Sequence, residues 1–178
     1  DAARAGGLAV ALVDALRARG GLWYGWSGNV SESDTDRAQT EQSGSLTLAT
    51  VDLNPDEYDD YYNGFANRCL WPLFHYRIDL TAFDRRYYEG YRRVNSKLAR
   101  GLYPLLKDDD TIWVHDYHFL AFGNELRQMG AEQSIGFFRH IPFPAREVLA
   151  TLPHHDPMVR GLFAYALLGF QPDPGRQR

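Results

Sequence analysis

The sequence lacks the features that mark membrane, secreted and duplex-binding proteins. No apolar run approaches the ~18–20 residues that a helix needs to cross a bilayer, and the chain opens without a signal-peptide core. The lone cysteine, Cys69, cannot form an internal disulfide, which favours a reducing compartment and hence the cytoplasm. No cluster of Lys and Arg stands out at a net charge of −4, so we expect neither nucleic acid nor a membrane as a partner.

What is present is a composition typical of a globular domain. The chain has 178 residues, of which 44% are hydrophobic and 14% aromatic, so it can bury a core and wholesale disorder is excluded. Domains of roughly 100–200 residues are usual, which predicts one domain or a piece of a larger protein. Residues 172–178 hold two prolines and no core residue, and we expect them to form a truncated tail.

Hydrophobic periodicity predicts the elements of an α/β fold. In the first half it predicts helices at 8–19, 56–68 and 84–106, strands at 22–27 and 45–52, and a mobile surface loop at 28–44. In the second half it predicts strands at 111–115, 134–139 and 165–170, with helices at 118–129 and from Pro144 between them. This alternation is typical of consecutive βαβ units, so we expect a parallel sheet with flanking helices.

Polar side chains follow two neighbouring strands of the predicted sheet. His115, Asp116 and His118 stand where one strand ends, and Arg139 and His140 end the next. Open α/β sheets bind ligands at that edge, where Asp116 can accept hydrogen bonds from sugar hydroxyls and His140 can position a hydroxyl. Two alternatives stay open: Asp116 caps a helix above packed histidines, or the three histidines converge on a metal ion. No carboxylate stands at a familiar ligand spacing, so we expect no metal.

Two further features favour an anionic or sugar ligand. Gly6 and Gly7 precede a predicted helix whose N-terminal amides favour an anion such as a diphosphate, although glycine pairs also occur in ordinary turns. Residues 58–91 hold 11 of the 25 aromatic side chains, Tyr62 and Trp71 among them. Aromatic faces stack on the apolar faces of sugars, whereas the alternative is an aromatic core layer beneath a helix.

Several ordered blocks resemble the trehalose-6-phosphate synthase family of retaining glycosyltransferases. They are Gly6-Gly7-Leu8, GLWYGWSG (21–28), YYNGFANRCLWPLFHYR (61–77), RVN (93–95), DDDTIWVHDYHFL (108–120), GFFRHIPFP (136–144) and LLGFQ (167–171). The resemblance implies the GT-B architecture, in which two Rossmann-like domains face each other across a cleft. It also implies that residues 1–171 are an incomplete N-terminal, acceptor-side domain, without its first strand and without the C-terminal donor-binding domain.

The resemblance implies a reaction and its partners. Glucose passes from UDP-glucose to glucose 6-phosphate with retention of configuration, which gives α,α-trehalose 6-phosphate and UDP and needs no cofactor. A homo-oligomer is left open, and the sequence as it stands is expected to be inactive alone. Three alternatives remain: a glucosylglycerol-phosphate synthase, a cyclitol pseudo-glycosyltransferase, and a non-catalytic sugar-phosphate-binding module.

The resemblance also implies roles for individual residues. Positions that surround the acceptor glucose 6-phosphate are matched by Tyr62, Trp71 and Asp116, with Trp26 close to them. Positions near the donor are matched by Gly6, Gly7 and His140. Of these, His140, Asp116 and Trp71 carry the implied catalytic roles, with Asp116 as an anchor of an acceptor hydroxyl rather than a nucleophile.

Overall fold

The described residues of a computed structural model, 16, 18–33 and 35–170, contain two three-stranded sheets. In the first sheet β1 (Gly21–Val30) runs parallel to β3 (Leu46–Leu53), and β2 (Gln39–Ser43) pairs antiparallel with β3. In the second sheet β4 (Thr111–His115), β5 (Ser134–Arg139) and β6 (Leu167–Phe170) are parallel in the order β4-β5-β6. The predicted α/β class, with parallel strands and flanking helices, is confirmed.

Helical segments connect the strands and cover the sheets. They are α1 (Pro55–Glu57), a π-helix (Tyr58–Leu70), α2 (Trp71–Phe74), α3 (Arg85–Leu102), α4 (Phe122–Gln128), α5 (Arg146–Leu149) and α6 (His155–Gly161). Short 3-10 turns lie at Ile78–Leu80, Tyr103–Leu105, Tyr117–Phe119 and Leu162–Ala164. Within the described part of the chain, no helix is long and apolar enough to span a membrane.

Local sequence explains where the main helices begin. The Asn54 side chain accepts a hydrogen bond from the Glu57 amide at 2.8 Å, and the Glu57 carboxylate accepts one from the Asn54 amide at 2.9 Å. This reciprocal pair is a capping box, which starts α1 directly after β3. The side chain of Asp84 caps α3 in the same sense by accepting from the Arg86 amide at 2.8 Å.

Helix α3 carries the core of the molecule. Its buried side chains recur at helical spacing, as Tyr91, Val94, Leu98 and Leu102 do, and they join one cluster with residues of both sheets and the π-helix. The Tyr24 hydroxyl of β1 donates to the Leu98 carbonyl at 2.7 Å. Helix α3 therefore fixes the first sheet relative to the segment that follows β4.

The prediction of a mobile loop at 28–44 is wrong in part. Strand β1 continues to Val30, and residues 39–43 pair with β3 and turn back through Gly44, whose φ is 64°. Every side chain of β2 is exposed, so its sequence shows no hydrophobic alternation, and the backbone ladder alone makes it a strand.

The other boundaries differ by a few residues or by helix type. Helix α3 ends at Leu102 because Pro104 follows in a 3-10 turn, and the helix predicted at 118–129 begins only at Phe122. Most of the helix predicted at 56–68 is π-helical, and the last strand begins at Leu167. The predicted helix at 8–19 lies mostly outside the described residues, as do Gly6, Gly7 and the tail at 172–178.

Candidate functional site

Asp116 occupies a strained turn at the carboxyl end of β4. Its amide donates to the Phe138 carbonyl at 2.8 Å, which continues the ladder with β5, but its φ of 71° then turns the chain away. The carboxylate accepts from the Tyr117 amide at 3.2 Å and so begins the following 3-10 turn. A non-glycine residue with positive φ costs free energy and is held by its surroundings, a condition common at binding sites.

An aromatic row leads from the first sheet to this turn. It consists of Trp26, Tyr62, His118, Tyr117 and Trp71. The ring centroids are separated by 5.2 Å from Trp26 to Tyr62, 5.6 Å from Tyr62 to His118, and 4.3 Å from His118 to Tyr117. Trp71 follows at 5.9 Å from Tyr117, and its side chain is 46% exposed. Strand β1, the π-helix, α2 and the segment after β4 are thus joined by contacting rings, of which Tyr117 is buried and Trp71 is exposed enough for a sugar ring to stack on it.

His115 and His140 form a pair at the ends of adjacent parallel strands. Their rings are nearly parallel with centroids 5.6 Å apart, and His140 Nε2 lies 3.4 Å from His115 Nδ1. Burial lowers the pKa of His115, and the charge of His140 lowers it further by a smaller amount. The imidazole of His115 is therefore neutral at neutral pH and can exchange a hydrogen bond with His140.

His118 lies between two other rings of the aromatic row, Tyr62 and Tyr117. Burial lowers the pKa of His118 to about 4, an effect that the charge of Asp116 partly opposes. Burial likewise raises the pKa of the Tyr117 hydroxyl, and Asp116 adds to that rise. Both side chains are uncharged near neutral pH, so the charged groups at this turn are Asp116 and the buried guanidinium of Arg139.

Two buried residues of α3 hold the turn in place. The Tyr91 hydroxyl donates to the Tyr117 carbonyl at 2.8 Å and accepts from the Leu120 amide at 2.9 Å. The Asn95 amide group donates to the His118 carbonyl at 3.1 Å. Neither residue was predicted as part of the site. The sequence does indicate them, since each is a polar side chain on the apolar face of a helix. Such a group must find a hydrogen-bond partner when it is buried.

The structure brings together the predicted residues that it describes. Tyr62, Trp71 and the Asp116 turn are joined through the aromatic row, and His140 reaches the same edge through His115. Gly6 and Gly7 lie outside the described residues. The three histidines do not converge, since His118 stacks within the aromatic row, and no group of three or more His, Cys, Asp or Glu among the described residues could hold a metal ion.

A separate polar cleft of about 740 Å³ lies between the segment before β2 and helix α3, lined by residues such as Thr35, Asp56 and Ser96. The cations on its wall are paired with carboxylates: Arg93 with Asp60 at 3.2 Å, Lys97 with Glu57 at 2.7 Å and Arg100 with Asp36 at 2.5 Å. None of the residues predicted to bind a sugar lines this cleft. The aromatic row is therefore the better candidate for the site.

A parallel sheet whose carboxyl edge carries aromatic rings, a strained carboxylate and a histidine pair defines an α/β domain suited to a polar, ring-shaped ligand. The profile of Glycosyltransferase family 20 matches residues 2–177, and the chain belongs to this family. The resemblance to retaining glycosyltransferases is thereby confirmed.

Relatives of known name are similar over nearly the whole chain. The trehalose-6-phosphate synthase of Klebsiella pneumoniae is 50% identical over 172 residues, which is 97% of this chain and 36% of the relative. The α,α-trehalose-phosphate synthase (UDP-forming) of Burkholderia xenovorans in complex with glucose-6-phosphate is 52% identical with a TM-score of 0.89, and the match covers 96% of this chain and 38% of that one. An E. coli structure bound with UDP-2-fluoro glucose is 50% identical with a TM-score of 0.90, covering 97% and 38%. The chain thus spans little more than a third of the length of these relatives.

Proposed function

We propose that this chain is the acceptor-side part of a retaining glucosyltransferase that makes α,α-trehalose 6-phosphate and UDP from UDP-glucose and glucose 6-phosphate. The proposal rests on the aromatic row, whose rings contact the segment after Asp116 from two sides: Tyr62 contacts His118, and Trp71 contacts Tyr117. Its residues stand in blocks of sequence that resemble the synthases, and relatives at about half identity have been solved with these two kinds of ligand.

In the proposed acceptor site, the ring face of Trp71 stacks on the glucose of glucose 6-phosphate and the Tyr62 hydroxyl forms a hydrogen bond with it, with Trp26 beyond them. Asp116 accepts a hydrogen bond from an acceptor hydroxyl and so orients the attacking group. Orientation of this kind lowers the entropic part of the barrier. The exposed face of Trp71 leaves room for a ligand, while the Tyr117 ring fixes its inner side.

In the proposed donor site, His140 holds a hydroxyl of the transferred glucose while His115 supports its ring. Charge develops on the leaving diphosphate during transfer, and amides at a helix N-terminus stabilise such charge. Gly6 and Gly7 are proposed for that role. Closure of a second domain over the edge would exclude water and limit hydrolysis of the donor.

The test uses a chimera in which this chain replaces the matched segment of the Burkholderia xenovorans synthase. We expect UDP release that depends on glucose 6-phosphate, and an α,α-linked product by NMR. Asp116→Ala and Tyr62→Phe should lower the affinity for glucose 6-phosphate, by about tenfold for a lost charged hydrogen bond. Asp109→Ala and Tyr103→Phe make the same changes before β4, at the opposite end of the sheet, and should leave affinity unchanged.

The alternatives give different results in the same assay. Turnover with glycerol phosphate or a cyclitol, but not with glucose 6-phosphate, would assign the chain to a related transferase with another acceptor. Binding of glucose 6-phosphate without UDP release would assign a sugar-phosphate-binding module. Equal affinities in the site variants and their controls would refute the proposed acceptor site.

A further inference from the structure

Arg139 is a buried cation directly below the candidate site. As the last residue of β5, it lies on the same strand face as Ile135 and Phe137, both fully buried, and its own side chain is 0% exposed. The guanidinium carbon is 3.5 Å from the centroid of the Phe74 ring and 5.5 Å from that of Phe143. Aromatic rings therefore cover its face, and only the edge of its plane, where the N–H groups point, is left for a polar partner.

All three guanidinium nitrogens of Arg139 lack a hydrogen-bond partner among the described residues. The other buried or half-buried cations of the core are satisfied. Arg127 donates to the carbonyls of Ala131 at 2.6 Å and Ala164 at 3.3 Å, and Lys97 pairs with Glu57 at 2.7 Å. A desolvated cation without an acceptor costs free energy, and a ligand that supplies the missing acceptor is one reason for a fold to retain it.

The surroundings of Arg139 point to the candidate site. Burial lowers the pKa of Arg139 to about 10, and the charged or titratable groups that act against this are Asp116, Tyr117 and Tyr76. The group is still a cation at neutral pH. The Phe74 ring that covers the guanidinium also contacts the Tyr117 ring, with centroids 5.9 Å apart. The carbonyl of Phe138, next to Arg139, accepts from the Asp116 amide at 2.8 Å, so Arg139 lies beside the edge at which the acceptor is proposed to bind.

We propose that Arg139 binds a phosphoryl group of the ligand that occupies the Asp116 edge. The inference rests on the proposed function, and it names the residue of this chain that recognises the phosphate. A guanidinium offers paired, coplanar N–H donors that match two phosphate oxygens, which a lysine cannot do. The same chemistry is offered by a sugar phosphate and by the diphosphate of a sugar nucleotide.

The Phe143 ring lies over the Arg139 guanidinium, so a ligand must displace this ring to reach the cation. Phe143 lies above the guanidinium, and the adjacent Ala145 amide donates to the Tyr76 hydroxyl at 3.2 Å. Tyr76 itself has a φ of 59°, a left-handed conformation that is unfavourable for a tyrosine. Access of a phosphate to the guanidinium therefore requires a shift of the Phe143 ring.

The binding test compares Arg139→Leu, Arg139→Lys and the control Arg127→Leu in the chimera, by titration calorimetry with glucose 6-phosphate, UDP, glucose and inorganic phosphate. Arg139→Leu should weaken one of the phosphorylated ligands by about ten- to a hundredfold and leave glucose unchanged. Arg139→Lys keeps the charge but loses the paired donors, and should fall between. A loss confined to glucose 6-phosphate identifies the acceptor as the source of the phosphate, and a loss confined to UDP identifies the donor.

The stability of the ligand-free protein provides a second measurement. Arg139→Leu removes an unpaired buried charge and should leave Tm unchanged or raise it, whereas Arg127→Leu breaks satisfied bonds and should lower it. A lowered Tm in Arg139→Leu, or a parallel loss of glucose and glucose 6-phosphate binding, would show a structural role and overturn the inference.

The two proposals can fail separately. If Asp116→Ala weakens glucose 6-phosphate while every Arg139 variant binds both phosphorylated ligands like the unaltered chimera, the proposed function stands and the inference is overturned. If the unaltered chimera binds neither phosphorylated ligand, both are overturned.

Discussion

At the scale of single residues, Asp116 combines a carboxylate proposed to bind the acceptor with an unfavourable backbone conformation. Its backbone has a φ of 71° and a ψ of 167°, a combination that costs a non-glycine residue on the order of 1–3 kcal/mol. Glycine alone adopts this region of backbone conformation readily, so the aspartate is held there by its surroundings. The site therefore carries its own cost in stability, and the two contributions of Asp116 can be separated by substitution.

We predict that Asp116→Gly and Asp116→Ala lose ligand binding alike but differ in stability. Glycine adopts this positive-φ conformation freely, whereas alanine does not, so Asp116→Ala should be less stable than Asp116→Gly by about 1 kcal/mol. Urea unfolding of the two variants without ligand measures this difference. Equal stabilities would mean that the turn relaxes when the carboxylate is removed.

His118 makes stability depend on pH. Its pKa is about 4 in the folded protein against 6.5 for the ordinary side chain, so the folded state keeps it neutral where the unfolded state protonates it. The contribution of His118 is fully present above pH 6.5 and is lost as the pH falls towards about 4, by roughly 3 kcal/mol at most.

We predict that His118→Phe removes this pH dependence, because phenylalanine preserves a ring between Tyr62 and Tyr117 but does not titrate. Urea unfolding at intervals between pH 4 and 7 should show a shallower slope for the variant than for the unaltered chain. Parallel curves for the two proteins would contradict the assignment and attribute the pH dependence to other groups.

At the scale of elements, the contact between α3 and the π-helix depends on small residues. A Cβ placed on Gly90 would meet the Cβ of Asp60, and one placed on Gly64 would lie 2.5 Å from the Tyr87 ring. The two helices are therefore in close contact at both glycines. This contact positions Tyr91 and Asn95, the residues that hold the Asp116 turn.

We predict that Gly90→Ala destabilises the chain by about 1–3 kcal/mol, through overpacking. The direction of this stability change is informative, because glycine-to-alanine changes inside helices usually stabilise by up to about 1 kcal/mol. Gly161→Ala in α6 is the matched control, since a Cβ there would meet its neighbours at ordinary distances of 3.8 and 3.9 Å. Thermal unfolding should move in opposite directions for the two variants, and a stabilised Gly90→Ala would refute the close contact.

The sequence predicts an element only where burial of one face leaves a periodic pattern of hydrophobic residues. Periodic burial identified α3 and the buried strands β4 and β5, whose side chains face a core. The exposed strand β2 left no such pattern, and π-helical hydrogen bonding in residues 58–70 cannot be read from hydrophobic spacing. The carboxyl-edge rule located Asp116 and His140, but the support from Tyr91 and Asn95 depends on tertiary contacts that no local pattern contains.

At the scale of the whole molecule, the candidate site belongs to neither sheet alone. Trp26 comes from the first sheet, Asp116 and His140 come from the second, and the π-helix supplies Tyr62 between them. A ligand that contacts all of these elements would stabilise their association with one another. Binding and the association of the two sheets are therefore linked.

The order of folding follows from the same arrangement. The aromatic row joins Trp26 to His118 through Tyr62, so residues far apart along the chain must meet before the surface exists. Closing a long loop costs entropy that is recovered only when distant contacts form, which places the completion of this surface late in folding. A partly folded chain therefore lacks the proposed sugar-binding surface, and a ligand of that surface would stabilise only the completed fold.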